Sequence, residues 1–304
     1  MATVFLNGSF VDAAEARVSA FDAGFQHAVG LFETMLATPD GEDGAGSAVG
    51  SVVGLVEHCE RLAASARELR LLETVSAAAL ADACVETISR SGLTRARLRL
   101  TVTGGDLNLL ERGGTANHDP TVMVVAQPAT EYPNAMYEQG VLVTIADAKA
   151  NPLDPTAGHK TLNYWWRLRE LQIASSKGAA EALVFQVSNH LSGGCVSNLL
   201  AVKGDRLLTP ICRGEEATGG VPSPVLPGVT RGMVMGWAEE AGLELERRMM
   251  TIDDVLQADE LMLTNSSWGV LPVTRLEARE VGSGGVGPVT NGLLSRWRAR
   301  IGTA

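Results

Sequence analysis

His159-Lys160-Thr161-Leu162-Asn163-Tyr164-Trp165-Trp166 sets a lysine at the mouth of an expected helix, among apolar and aromatic side chains. An amine in such surroundings loses hydration, which disfavours its charged form and prepares it for Schiff-base chemistry. Taken alone, the stretch reads more simply as a surface lysine at a helix start. Two later segments bear on the choice. Leu226-Pro227-Gly228-Val229-Thr230-Arg231 runs from a Pro/Gly loop straight into a helix. Free backbone N–H groups, the positive end of the helix and the Thr230 hydroxyl together suit a phosphate, although an ordinary N-capped helix has the same look. Thr264-Asn265-Ser266-Ser267 follows an apolar strand, where its hydroxyls either complete that cup or form a plain turn.

Outward from these segments, the pattern of apolar residues predicts strands and helices in both halves of the chain. Val4 to Leu6, a turn at Asn7-Gly8, and Phe10-Val11 read as a hairpin. The stretch from Pro39 to Ser51 is rich in Gly, Ala, Ser and acids and reads as a solvated hairpin tip. Helices are expected over Glu57 to Leu72 and Ser76 to Ser89, then strands over Arg97 to Thr103 and Thr121 to Ala126. Pro128 and Pro133 mark a crossing between domains. Beyond it come a strand from Val141 to Ala146 and a helix from Thr161 to Ser176, ended by Gly178. Strands from Ala182 to Val187 and Leu199 to Thr209 follow, the second bent at Gly204-Asp205. The last elements are a helix from Thr230 to Ala241, a short strand from Leu261 to Thr264 and a helix from Asn291 to Ile301. Without strict βαβ alternation this is an α+β chain in two domains, residues 1–127 and 136–304, joined by a linker at 128–135.

Composition narrows the function. The 304 residues carry a net charge of −10 and no basic run longer than Arg247-Arg248, which argues against nucleic acid as a partner. A few local arginines can still hold a small anion against that field. Cys59, Cys84, Cys195 and Cys212 show no metal-ligand spacing, so no metal is expected. No apolar segment approaches the ~20 residues that span a bilayer, and the first residues lack a signal-peptide pattern, so a cytoplasmic protein is expected.

Together and in order, the motifs resemble the class IV aminotransferases, the group of branched-chain aminotransferases, D-amino acid aminotransferases and aminodeoxychorismate lyases. The resemblance covers nearly the whole chain. It runs through Asn7-Gly8, Asp22-Ala23-Gly24-Phe25-Gln26, Gly30-Leu31-Phe32-Glu33-Thr34, His58-Cys59-Glu60-Arg61-Leu62 and Thr101-Val102-Thr103-Gly104-Gly105. It continues at Lys160 through Tyr164, Glu181-Ala182-Leu183, Ser197-Asn198-Leu199, Thr209-Pro210, Leu226 through Arg231, Ala258-Asp259-Glu260 and Pro272-Val273.

That resemblance implies a two-domain fold type IV enzyme of pyridoxal 5'-phosphate (PLP). Its smaller N-terminal domain would be α/β, and its larger C-terminal domain would have a β-barrel-like core. It implies that Lys160 forms the Schiff base and later shuttles a proton. Arg61 would bind the phosphate with its guanidinium fork, the rival reading being a surface arginine paired with Glu57. Val229, Thr230 and Ser266 would complete the phosphate cup, with Ser267 a neighbour, and Tyr164 would approach the phenolic oxygen of PLP. Phe32 and Arg99 fall where the family lines its substrate pocket, although plain core packing explains Phe32 equally well and an exposed strand position is a fair rival for Arg99. The expected reaction moves an amino group between an amino acid, branched-chain or D, and a 2-oxo acid, in a homodimer. An aminodeoxychorismate lyase-like activity is the alternative; Glu33, a threonine in some of those lyases, tilts the reading mildly towards the aminotransferase. The loop from Gly105 to Asn117 carries no substrate signature.

One departure stands out. The family carries a glutamate five residues before this asparagine, whose carboxylate keeps the pyridine nitrogen of PLP protonated. Counting back from Asn198 gives Gly193, and no Asp or Glu lies between Glu181 and Asp205. Loss of such a charge-assisted hydrogen bond is worth about 1.5–3 kcal/mol, or about one to two decades in rate if felt fully in the transition state. Three outcomes follow: an active enzyme with a weaker electron sink, a substitute partner for the nitrogen, or a PLP-binding protein that has lost activity.

Overall fold

The structure, a computed structural model, describes residues 3–38, 51–106 and 119–303. The solvated tip expected at 39–51 and the loop expected at 105–117 fall almost wholly outside the described residues. The described chain divides into two units, one of Met1–Thr130 with Lys160–Asn163, the other of Glu131–His159 with Tyr164–Ala304.

The first unit begins with strands β1 (Thr3–Leu6) and β2 (Ser9–Asp12), helix α1 (Ala23–His27) and strands β3 (Gly30–Thr38) and β4 (Ser51–Val52). Helices α2 (Leu55–Glu68) and α3 (Ala77–Ser91) and strands β5 (Ala96–Thr103) and β6 (Val122–Pro128) complete it. The strands form one antiparallel sheet in the order β2-β1-β6-β5-β3-β4. Because strand side chains alternate between faces, Leu31, Met35 and Ala37 of β3 point one way. There they meet Cys59, Leu62 and Ala66 of α2 and Leu80, Cys84 and Ile88 of α3 in a dry core. Glu33 is on that same face, and Phe32 and Thr34 are on the other. Asp22, ahead of α1, is buried and accepts hydrogen bonds from the hydroxyls of Thr103 and Thr121, both 2.6 Å, which ties the ends of β5 and β6 to the helix.

Strand β4 pairs only with the far end of β3, so the near end of β3 has a free edge. Lys160 to Leu162 fill it. The Phe32 amide donates to the Lys160 carbonyl and the Leu162 amide to the Gly30 carbonyl, each at 2.9 Å, around an antiparallel bridge of Leu31 with Thr161. Gly30 permits the approach: a Cβ there would lie 2.7 Å from both Leu162 Cδ1 and the Val102 carbonyl oxygen. The helix expected from Thr161 therefore starts only at Trp165, because the backbone ahead of it is spent on pairing.

The second unit contains helix α4 (Asn134–Glu138), strand β7 (Val141–Ala150), helix α5 (Trp165–Ser176) and strands β8 (Glu181–Gln186), β9 (Leu191–Gly194), β10 (Asn198–Lys203) and β11 (Arg206–Pro210). Helix α6 (Val229–Glu240), strand β12 (Glu244–Arg248), helix α7 (Ile252–Leu256), strands β13 (Glu260–Asn265), β14 (Gly269–Leu276) and β15 (Arg279–Glu280) and helix α8 (Pro288–Arg300) follow. Its mixed sheet runs β12-β11-β10-β13-β14-β7-β8-β9, with β15 beside β14. The last strand, β9, returns against β10 and β11, so the sheet curls into a half-barrel around Val143, Leu183, Leu199, Leu261, Leu263 and Leu271. The single bent strand expected over Leu199 to Thr209 is two strands, β10 and β11, because the turn at Gly204-Asp205 folds them into an antiparallel hairpin. All four cysteines are free and buried, Cys59 and Cys84 in the first unit, Cys195 and Cys212 in the second.

Gly30→Ala should push the 160–162 segment off the β3 edge. We expect a loss of about 1–3 kcal/mol in denaturant unfolding and faster hydrogen exchange at the Leu162 amide. Unchanged exchange would count against the pairing.

Candidate active site

In the first unit, Lys160 is held by backbone on both sides and its amine lies 4.5 Å from the centre of the Phe32 ring. The same ring carries the Arg99 guanidinium at 3.4 Å. Thr34 pairs with Arg99 and Phe32 with Thr101 across β3 and β5, so strand alternation alone puts Phe32 and Arg99 on one face. Three residues named from the sequence thus meet on the face of β3 turned away from the helices. The aromatic neighbour differs from the expected one. Phe32, 5% exposed, lies beside the amine, while Trp165 is 81% exposed.

On the opposite face, Glu33 meets two side chains one helical turn apart on α2. Arg61 grips it with Nε on Oε1 at 2.9 Å and Nη2 on Oε2 at 2.5 Å, and His58 Nδ1 stands 2.7 Å from Oε2. Arg61 therefore pairs with a buried strand carboxylate, and the surface pair with Glu57 is not its arrangement. Burial alone would raise the pKa of Glu33, but the charge of Arg61 and the contact with His58 outweigh it and bring the carboxyl down to about 2. Burial also pushes His58 below its ordinary value, helped by the nearby cations Arg61 and Lys160 and opposed by Glu33. The imidazole is then neutral at pH 7 and donates from Nδ1 to the carboxylate.

In the second unit, three segments converge. The N-cap of α6, Gly228, offers no side-chain acceptor to the first helical N–H groups, supplied by Val229 and Thr230. Thr230 is 3% exposed, and its hydroxyl makes no hydrogen bond among the described residues. Beside them, Asn198 donates from Nδ2 to the Leu226 carbonyl at 2.8 Å, and its Oδ1 occupies the space a Cβ on Gly228 would need. Ser266 and Ser267, half-buried, sit in the turn after β13, which Asn265 shapes by accepting from the amides of Ser267 and Trp268 at 2.8 and 3.0 Å. Asn265 Nδ2 also reaches the Val196 carbonyl at 3.3 Å, so the β9–β10 turn is tied to the Ser266 turn through Asn265 and to the α6 loop through Asn198. Arg231, fully buried, fixes the helix by a bidentate pair with Glu215 at 2.8 and 2.9 Å and by bonds to Thr209 and Pro210. Tyr164 stands at the N-cap of α5, its ring 5.8 Å from the Arg167 guanidinium.

Sequence reasoning missed Asn265 and Glu181 as organisers. Glu181 is fully buried and accepts from the amides of Ala182, Cys195 and Val196 and from the Ser197 hydroxyl, all within 2.9–3.1 Å. Burial raises its pKa and these four donors oppose the rise. A carboxylate flanked by apolar residues, as in Glu181-Ala182-Leu183, was the available signal.

The family profile described as "Amino-transferase class IV" matches residues 30–276. The chain belongs to the class IV aminotransferases. Relatives of this class IV chain include branched-chain-amino-acid and D-alanine aminotransferases. A Methanocaldococcus jannaschii protein, named provisionally as a branched-chain-amino-acid aminotransferase, is 30% identical over 298 residues, 97% of this chain and 95% of the relative. Among solved structures, the branched-chain amino acid aminotransferase of Escherichia coli superposes with a TM-score of 0.85 at 25% identity, covering 98% of this chain and 94% of the other. The 4-amino-4-deoxychorismate lyase of Pseudomonas aeruginosa does so with a TM-score of 0.79 at 26% identity, covering 97% and 98%.

Two predictions test the geometry. The Glu33 carboxyl titrates lower in the folded protein than in the unfolded chain. Its stabilisation is therefore complete above the unfolded value, ~4.3, and is lost as pH falls towards 2. Glu33→Gln should cost about 3 kcal/mol at neutral pH and flatten the acid limb of the stability–pH curve; an unchanged limb would refute the assignment. At Gly193, φ is +125° and an added Cβ would meet the Ser197 carbonyl oxygen at 3.0 Å. Gly193→Glu should therefore lower stability by about 1–3 kcal/mol, read from the melting temperature, instead of simply restoring an acid to the site.

Proposed function

We propose that this class IV aminotransferase is a PLP enzyme that moves an amino group between a branched-chain or D-amino acid and a 2-oxo acid. The observation that carries the reading is Lys160: its backbone is pinned at two points to β3 while its amine stays half-buried beside Phe32 and Arg99. A lysine so fixed loses little further freedom when its amine joins an aldehyde. The uncapped start of α6 with the unengaged Thr230 hydroxyl fits the phosphate of PLP. When bound, PLP supplies the electron sink that lets the Cα proton leave.

The chain's own residues then have distinct tasks. Lys160 would supply the amine that holds the PLP aldehyde and would hold or move the proton at the substrate Cα as general acid and base. Val229 and Thr230 hold the phosphate by amides and a hydroxyl, with Ser266 and Ser267 beside them. Arg61, oriented by Glu33, would offer its guanidinium to a phosphate. Tyr164 serves the phenolic oxygen. Phe32 and Arg99 line the substrate side, where Arg99 suits a carboxylate. We place the enzyme in the cytoplasm as a homodimer; the exposed Phe21 and Phe25, 69% and 78%, are apolar surface available for a second subunit.

A second reading, a lyase of the aminodeoxychorismate type, has support in the similarity to the Pseudomonas aeruginosa structure and in Gly193. Addition of PLP should give a visible band that borohydride removes by fixing the cofactor to Lys160, and Lys160→Ala should lack it. Single-turnover mixing with L- and D-amino acids should leave the amino group on the cofactor. Release of pyruvate with the cofactor unchanged would favour the lyase, and no band at all would end both readings.

A further inference from the structure

If PLP is bound as proposed above, the start of α6 would hold its phosphate, and the β9–β10 turn is tied to that start through Asn198. Asn198 abuts Gly228 at the α6 N-cap, and a Cβ on Gly193 would lie 3.6 Å from the Asn198 Cα. The stretch Gly193 to Cys195 therefore adjoins Asn198, which forms part of the wall of the phosphate cup.

Among the ionisable groups around this stretch, one cation is in contact with no carboxylate. An ionised carboxylate has about four acceptor sites, and Glu181 spends its own on Ala182, Cys195, Val196 and Ser197. Glu170 is buried, paired with Arg169 at 2.5 Å and accepting from the Asp147 amide at 3.0 Å. The Cys195 thiol is pushed up to about 12 by burial, and so is neutral. Arg167 differs from all of these. It comes from α5, rests over Trp166 at 4.5 Å and donates from Nη1 to the carbonyls of Gly194 and Cys195 at 3.4 and 3.2 Å. Among the described residues it has no carboxylate partner, and its Nε and Nη2 make no hydrogen bond. This half-buried guanidinium touches no carboxylate directly and keeps unused donors beside the turn.

We propose that the charged group facing the pyridine nitrogen of PLP in this chain is the guanidinium of Arg167, and that the nitrogen is consequently held without a proton. A guanidinium N–H can donate only to a free lone pair, and its charge opposes the arrival of a second proton. The proposal rests on the PLP reading and makes this enzyme's electron sink a neutral pyridine.

The experiment uses the full-length protein loaded with PLP carrying nitrogen-15 in the ring. Borohydride labelling of Lys160 in a parallel sample establishes that the cofactor is bound. The nitrogen resonance should sit at the unprotonated pyridine position at pH 7. In Arg167→Met the pH at which it moves to the pyridinium position should rise by about one unit, while Arg167→Lys should stay close to wild type. A pyridinium resonance in the wild-type protein at pH 7 would overturn the proposal, with the cofactor reading intact. So would an Arg167→Met protein of unchanged circular dichroism that titrates as wild type does. Should Arg167→Met fail to fold, the wild-type resonance and the Arg167→Lys titration decide. Failure of Lys160 to label would remove the cofactor reading and this proposal together.

Discussion

The alternation of side chains along β3 is the constraint from which the chemistry of the first unit follows. One face of the strand is sealed by α2 and α3, so any polar residue there must find a partner in a dry core. Glu33 does so with His58 and Arg61, which the helical repeat delivers to the same side of α2. One residue earlier, Phe32 faces the other way and becomes the surface on which Arg99 and Lys160 rest. The free edge of the same strand then takes the backbone of 160–162. A one-residue slip in the pairing of β3 would exchange all of these assignments.

The second unit is organised around short polar tethers. The β9–β10 turn rests on the Glu181 carboxylate from within, and Asn198 and Asn265 connect it to the α6 loop and the Ser266 turn. Arg231 holds α6 from behind through Glu215, Thr209 and Pro210. Each tether satisfies backbone groups that a curled sheet would otherwise bury without partners. Gly193 fits into this scheme through its backbone, because its positive φ lets β9 meet β10 without a side chain between them.

Much of this was legible in the sequence. Apolar periodicity places α2, α3, β5, β6, β7 and α6 within a few residues, and the motif order points to the family. The helix start at Trp165 was not legible, because the residues ahead of it have helical neighbours and an extended partner far away in the chain. The partner of Arg61 was hidden for a similar reason: a local window shows the nearest acids, such as Glu57, and not a carboxylate delivered by another strand. Lys160 was found as a residue, yet its aromatic neighbour was misjudged, since adjacency in sequence favoured Trp165 and packing chose Phe32.

The burial of all four thiols gives this protein an internal reporter. A cysteine reacts only as an exposed thiolate, so in the native state each must wait for its own part of the chain to open. Two belong to the sheet-and-helix core of the first unit and two to the half-barrel. Their modification rates, followed by mass, would then time the opening of each half separately, with no introduced label to disturb the packing being timed.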